Sequence, residues 1–340
     1  MSFRILALAL FLGSVTSLNA QQYGVTGRIP LSGDEGWDYL TADASNHQLY
    51  VSHGTEVQVV DLDSAKQVGN IGGMKRIHGI ALADELNKGF ITDGGDNMVV
   101  VFDLKSNAVT QKIRAGENPD SVLYEPTKKC VYAFNGRSNS ATVIDATAGT
   151  VVVTIPLSGK PEFAVTDGKG NVYVNIETKN SLVRLDAEGT KKDEWQLPSC
   201  EEPSGLAMDV AGRRLFSVCS NKTMAVTDAD SGKQVAKVVI GEGPDAAAYD
   251  PETKLVFSSN SDGTLTVVKQ ESPDKYMVVQ NAQTEKRART MALDRRTHKI
   301  YLSCAEFGPA PAPTTDNPHP RPKPKPGTFH LIVVAPEKSF

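Results

Sequence analysis

VVDLDS at 59–64, VFDLKS at 101–106, VIDATAG at 143–149, VRLDAEG at 183–189 and AVTDADSG at 225–232 each carry an aspartate after an apolar stretch. These residues, Asp61, Asp103, Asp145, Asp186 and Asp228, follow one another at intervals of 42, 42, 41 and 42. A second marker, an acidic residue six or seven places before an aromatic, occurs seven times: Asp43/Tyr50, Asp84/Phe90, Glu125/Tyr132, Asp167/Tyr173, Asp209/Phe216, Asp250/Phe257 and Asp294/Tyr301. A constant period of this length, made of short strands and turns, describes units that bury their faces only by stacking on one another.

Each unit reads as four strands. In the third, SVLYEP, KKCVYAFNG, SATVIDA and GTVVVTIPL are short, rich in β-branched or aromatic residues, and separated by Pro, Gly, Asn or Asp. No stretch beyond the N-terminus keeps a helical period. The fold class is therefore all-β: a seven-bladed β-propeller of four-stranded antiparallel blades, closed radially so that edges are protected. The manner of closure is also legible, because IPLSG at 29–33 recurs at 155–159, where it ends the outer strand of the third unit, 126 residues or three periods away. The segment from Tyr23 to Leu31 is then an outer strand without a blade of its own. It is expected to complete the seventh blade, whose other strands come from the C-terminus.

Residues 1–20 carry Arg4, an apolar run from Ile5 to Leu12, and small or polar residues up to Ala20, the pattern of a signal peptide. The apolar run is too short for a stable span, so no transmembrane segment is expected after cleavage. Residues 21–340 are expected to form one propeller domain and, with the ring closed on itself, a monomer. The chain is acidic, with 36 basic against 40 acidic residues and a net charge of −4, which disfavours a polyanionic partner such as nucleic acid. Four cysteines are few for a disulfide framework, and there is no CxxC. Cys219 and Cys304 occupy equivalent positions two blades apart, too distant for a bond between them. Cys200 is the better partner for Cys219, on the same face of the same blade.

The second strands, Tyr50-Val51-Ser52-His53, Tyr132-Ala133-Phe134-Asn135, Tyr173-Val174-Asn175 and Phe257-Ser258-Ser259-Asn260, resemble the YVTN repeat. With the turns Glu125-Pro126 and Asp250-Pro251, they make residues 21–336 similar to the YncE-like, YVTN-repeat β-propellers, a WD40-like repeat architecture. The resemblance implies the fold and export to the periplasm or the outside of the cell. It implies no single activity, since the wider superfamily holds lactonases, a haem-carrying nitrite reductase domain and a copper-cluster domain.

Residues present at one place in most blades are structural, so Asp61 and its equivalents are expected to close turns through bonds to backbone N–H groups. Positions that vary between blades are the candidates for function. At the start of each inner strand, lining one mouth of the channel, these are Asp38, His78, Asp120, Glu162, Ser204, Asp245 and Arg289. The ends of the second strands are expected to add His53, Asp93, Asn135, Asn175, Cys219, Asn260 and Cys304. Such a mouth suits a small polar ligand, a protein partner or a divalent cation, calcium or a single transition metal, and no cofactor is specified beyond that. With six histidines, of which His47 and His298 are expected at the opposite face, a multi-histidine copper cluster is disfavoured.

One insertion breaks the repeat. GPAPAPTTDNPHPRPKPKPG at 308–327 carries eight prolines, which favour extended polyproline II, together with Arg321, Lys323 and Lys325. It leaves from the end of a second strand and is expected to rise beside the polar mouth, as a lid, a docking arm or a tolerated insertion. There is no GxSxG, HExxH, P-loop or GxGxxG motif. The sequence thus favours an exported binding or interaction module with a ligand or partner at the mouth. A metal-assisted hydrolase of the lactonase type using the ring acids is the alternative. A second alternative, single-stranded nucleic-acid binding through Trp37 and Phe163, is opposed by the same acids.

Overall fold

A computed structural model of the chain describes residues 21–34, 36–186, 189–314, 320 and 322–337. Residues 1–20, expected from sequence to be a signal peptide, and the insertion residues 315–319 and 321 lie outside the described residues. The described residues form seven four-stranded antiparallel sheets, each running inner to outer in chain order except the last. That blade assembles Met291–Asp294, Lys299–Cys304 and His330–Pro336, and Tyr23–Pro30 is its outer strand. The closing pair runs antiparallel from Tyr23 opposite Pro336 to Pro30 opposite His330. A strand from one terminus thus closes the ring by pairing with the other, as the repeated IPLSG implies.

The core is divided among the blade interfaces. Tyr50, Phe90, Tyr132, Tyr173, Phe216, Phe257 and Tyr301, the aromatics of the second strands, are all buried. Each joins a cluster drawn from two adjacent blades: Tyr50 with Ile80, Ile91 and Phe102, for example, or Phe257 with Tyr23, Ile300 and Ile332. Side chains of one sheet filling the face of the next is what makes a single blade unstable and the ring cooperative.

The acidic turn residues behave as their periodicity requires. Asp61 accepts from the backbone N–H of Ser64, Asp103 from Lys105 and Ser106, Asp145 from Thr147 and Ala148, Asp186 from Thr190, and Asp228 from Asp230 and Ser231. The Ser64 hydroxyl first and then its N–H hold the Asp61 carboxyl below its ordinary value, and the Ser106 N–H first and then its hydroxyl do the same for Asp103, because these bonds favour the ionised form.

The inner strands share one departure from regular pairing. In six blades two residues stand opposite one on the second strand: Asp38 and Tyr39 between the pairs Trp37–His53 and Leu40–Val51, then His78-Gly79, Asp120-Ser121, Glu162-Phe163, Ser204-Gly205 and Asp245-Ala246 at the same place. This two-for-one register is a β-bulge, which bends the strand and re-aims its side chains. Neighbouring bulges nearly touch. A Cβ on Gly205 would meet the Asp245 carbonyl oxygen and the Ala247 nitrogen at 2.6 Å, and one on Gly79 would meet the Asp120 carbonyl oxygen at 2.8 Å, so only glycine fits at these two positions.

Candidate functional site at the channel mouth

The first residue of each bulge is the ring position expected from sequence, and the fold fixes it through its own carbonyl. Four of these carbonyls accept from a side chain of the preceding blade, that of Asp120 from Thr92, Glu162 from Ser121 (2.6 Å), Ser204 from Asn175 (3.0 Å) and Asp245 from Ser204 (3.0 Å), and the carbonyl of Arg289, the equivalent position of the seventh blade, accepts from Ser259. The ring is therefore built blade on blade, with polar side chains that would otherwise be stranded between sheets.

Three of its members converge. His78 Nδ1 lies 2.6 Å from Asp38 Oδ2 and 3.7 Å from Asp120 Oδ1. On the other side of the imidazole, Arg76 Nε donates to Nε2 at 3.2 Å, so the neutral ring carries its proton on Nδ1 and gives it to Asp38. Burial, the largest influence, works against protonation of His78. The Asp38 hydrogen bond and the charges of Asp120 and Asp38 outweigh it, and the pKa is raised. One ligand atom each from Asp38, His78 and Asp120 lies within 4.8 Å of the others, a spacing able to hold a metal ion.

The other charged ring members are ion-paired. Glu162 pairs with Lys160, which also reaches Glu177 at 2.6 Å, and Asp245 pairs with Arg289 at 2.9 Å. Burial, reinforced by the charge of Asp120, pushes the Glu162 carboxyl up to about 8 in spite of Lys160. Burial likewise pushes Asp245 up to about 6 against the pull of Arg289. Asp120 is raised by burial and by Asp38, with His78 opposing. In the midst of these carboxylates is Tyr39, the second residue of its bulge, whose ring packs on Phe163 with centroids 4.5 Å apart. Its hydroxyl is buried without a hydrogen-bond partner, and burial plus the fields of Asp120, Glu162, Asp38 and Asp245 keep it protonated. An unsatisfied buried donor costs about 1–3 kcal/mol.

The residues at the ends of the second strands are placed differently from the sequence expectation that they would join the mouth. Asp93 is fully buried and accepts from the backbone N–H groups of Lys75 and Arg76. Asn135 bonds Ser140, Thr142 and Gly116, and Asn260 bonds Thr264 and Thr266. His53 is buried against Phe329, centroids 4.4 Å apart. These four hold the loops that deliver the ring residues. Cys219 is bonded to Cys200, their Cα atoms 5.3 Å apart, while Cys304 and Cys130 are free thiols. His47 and His298 are occupied at the other face, His47 between Asp63 and Asp294 and His298 on Asp250.

Arg76, Lys160 and Tyr39 are the mouth residues that sequence reasoning missed. A signal for two of them was present, since Arg76 and Lys160 stand two residues before the ring positions His78 and Glu162. The insertion borders the same mouth. Its legs are zipped by Gly308 N–H to Lys323 carbonyl and Lys325 N–H to Glu306 carbonyl, with Phe307 bridged to Pro324. No helix among the described residues is long and apolar enough to cross a membrane.

No family model matches the chain. Over 163 residues it is 24% identical to the Salmonella typhi protein named "Uncharacterized protein YncE", a match covering 46% of this chain and 45% of that protein. The match thus spans about half the length of that relative, whose name states no activity. Similarity to YncE together with seven four-stranded blades supports a YncE-like propeller.

Proposed function

We propose that this protein is an exported binding module whose site is the polar mouth of its channel, and that Asp38, His78 and Asp120 hold a divalent cation there as part of the site. The observation that carries this reading is the approach of three ligand atoms from three consecutive blades to within 4.8 Å. The unpartnered, buried Tyr39 hydroxyl among the same carboxylates adds to it. One imidazole with two carboxylates suits manganese or zinc better than calcium, which takes about 6–8 oxygens. Export is supported by the Cys200–Cys219 bond, since disulfides persist in oxidising compartments. Chelator-treated protein titrated calorimetrically with manganese, zinc and calcium tests the proposal. One transition-metal ion per chain, lost in Asp38→Asn and Asp120→Asn, is the expected result. No binding up to millimolar metal, or equal binding by the variants, overturns it.

A second reading, the metal-assisted hydrolase, draws on Glu162, whose raised pKa of about 8 suits a general acid or base near neutral pH. Lactone or ester hydrolysis by metal-loaded protein that Glu162→Gln abolishes, while metal binding stays intact, would favour it. Its absence leaves the binding module.

A further inference from the structure

Beside the acidic mouth, between the upper loops of the sixth and seventh blades and the legs of the insertion, is a separate cavity of about 620 Å³. Among the described residues its charged lining residues are Lys286, Arg287 and Arg289, with no carboxylate among them. Its apolar walls are Trp37, Phe307, Pro322 and Pro324. Arg289 is paired with Asp245 on the channel side. Arg287 instead stands over the Phe307 ring, its guanidinium carbon 4.9 Å from the centroid, and neither it nor Lys286 has a carboxylate partner among the described residues. Trp37 stacks on Phe329 at 5.0 Å and reaches Phe307 at 6.0 Å, so the aromatic wall is braced.

The position of Arg287 is set by the repeat. Its backbone is left-handed, φ 72°, as are those of Asn118, Glu202 and Gly243, the residues two before the ring positions of the third, fifth and sixth blades. Arg287 N–H is tied to the Ser261 carbonyl at 2.8 Å. The repeat demands the turn and leaves its side chain free, and in the seventh blade that side chain is an arginine aimed over an aromatic ring. A guanidinium and an ammonium without counter-charges among the described residues, in a concavity walled by rings, attract an anion. Apolar walls discriminate against a bare inorganic one, and the volume falls in the range of about 300–1,000 Å³ typical of small-molecule sites.

We infer that this cavity is a binding site for a small organic anion, a carboxylate carried on a planar apolar body, with Arg287 and Lys286 engaging the carboxylate and Trp37 and Phe307 the ring. The inference is independent of the cation proposed at Asp38, His78 and Asp120.

The chain has two tryptophans, and Trp195 lies on an outer strand of the fourth blade stacked on Tyr173, so Trp195→Phe leaves Trp37 as sole indole reporter. In that background the indole N–H resonance is followed by NMR while 4-methylbenzoate, its neutral isostere 4-methylbenzamide, and propanoate are titrated. The expected result is saturable displacement of the Trp37 signal by the benzoate, at least tenfold weaker for the amide and for propanoate. Lys286→Gln with Arg287→Gln should lower benzoate affinity at least tenfold, and Lys105→Gln, at an exposed turn of the second blade, should leave it unchanged. Equal affinity for benzoate and benzamide, no loss in the double variant, or no saturable shift up to 20 mM (about a hundredfold above a 0.2 mM site,) overturns the inference. A failed metal titration leaves it standing.

Discussion

Replacing Tyr23 and Ile29 together by alanine tests whether the ring depends on its N-terminal strand. Tyr23 is 1% exposed and sits edge-on to Phe257, centroids 5.0 Å apart, in the interface of the sixth and seventh blades. Ile29 is 4% exposed and belongs to the interface of the seventh and first blades, with Leu49 and Leu331. Truncating a buried large aromatic costs about 3–5 kcal/mol and a buried Ile about 2–5. The two side chains lie in different clusters, so their effects add. A combined loss of roughly 5–10 kcal/mol is comparable with the whole stability of a domain, about 5–15 kcal/mol. Urea unfolding followed by circular dichroism should therefore show the midpoint collapse, or an early transition of the last blade. Tyr23→Phe provides the control. The Tyr23 hydroxyl is buried without a hydrogen-bond partner, so its removal should be neutral or stabilise by about 1 kcal/mol. A double variant within about 1 kcal/mol of wild type would refute the reasoning.

Glu162→Gln should change stability in a pH-dependent way. In the unfolded chain the carboxyl ionises from about 4.5 and in the folded protein only near 8, so between those values the unfolded state holds fewer protons and wild-type stability falls as pH rises. The variant lacks this penalty: it should match wild type near pH 4 and gain on the order of 1–3 kcal/mol by pH 8, whereas a variant less stable at pH 8 would mean that the Lys160 ion pair dominates. Reducing the Cys200–Cys219 bond, which closes a separation of 19 residues, should cost about 3 kcal/mol, seen as a lower melting temperature in reductant that Cys219→Ser reproduces; unchanged melting would count against the bond. Gly205→Ala forces a Cβ to 2.6 Å from backbone atoms of the next blade and should cost about 1–3 kcal/mol by thermal melting, while Gly27→Ala, where a Cβ meets nothing, should be close to neutral.

The sequence by itself determined the architecture, because repetition multiplies weak local signals. Seven acid–aromatic pairs and five turn aspartates at one period fix blade number and strand order, and the duplicated IPLSG fixes where the ring closes. The Cys200–Cys219 pairing and the seven ring positions followed from the same register. Only the tertiary structure decided what those positions do. Alternation along a strand tells which face a residue takes, but the bulge breaks alternation at Asp38-Tyr39 and its equivalents, and nothing in one blade's sequence says that two residues will stand opposite one. For the same reason Asp93, Asn135, Asn260 and His53, polar and adjacent to the mouth in register, turned inward to satisfy loop backbone or to pack on Phe329, since a buried N–H without an acceptor costs more than an exposed carboxylate gains. The convergence of Asp38, His78 and Asp120 joins three consecutive blades, and the cavity that gathers Trp37, Arg287 and Phe307 joins the first blade to the last across the ring's closure. Distance along the chain carries no record of that proximity; the stacking of sheets creates it.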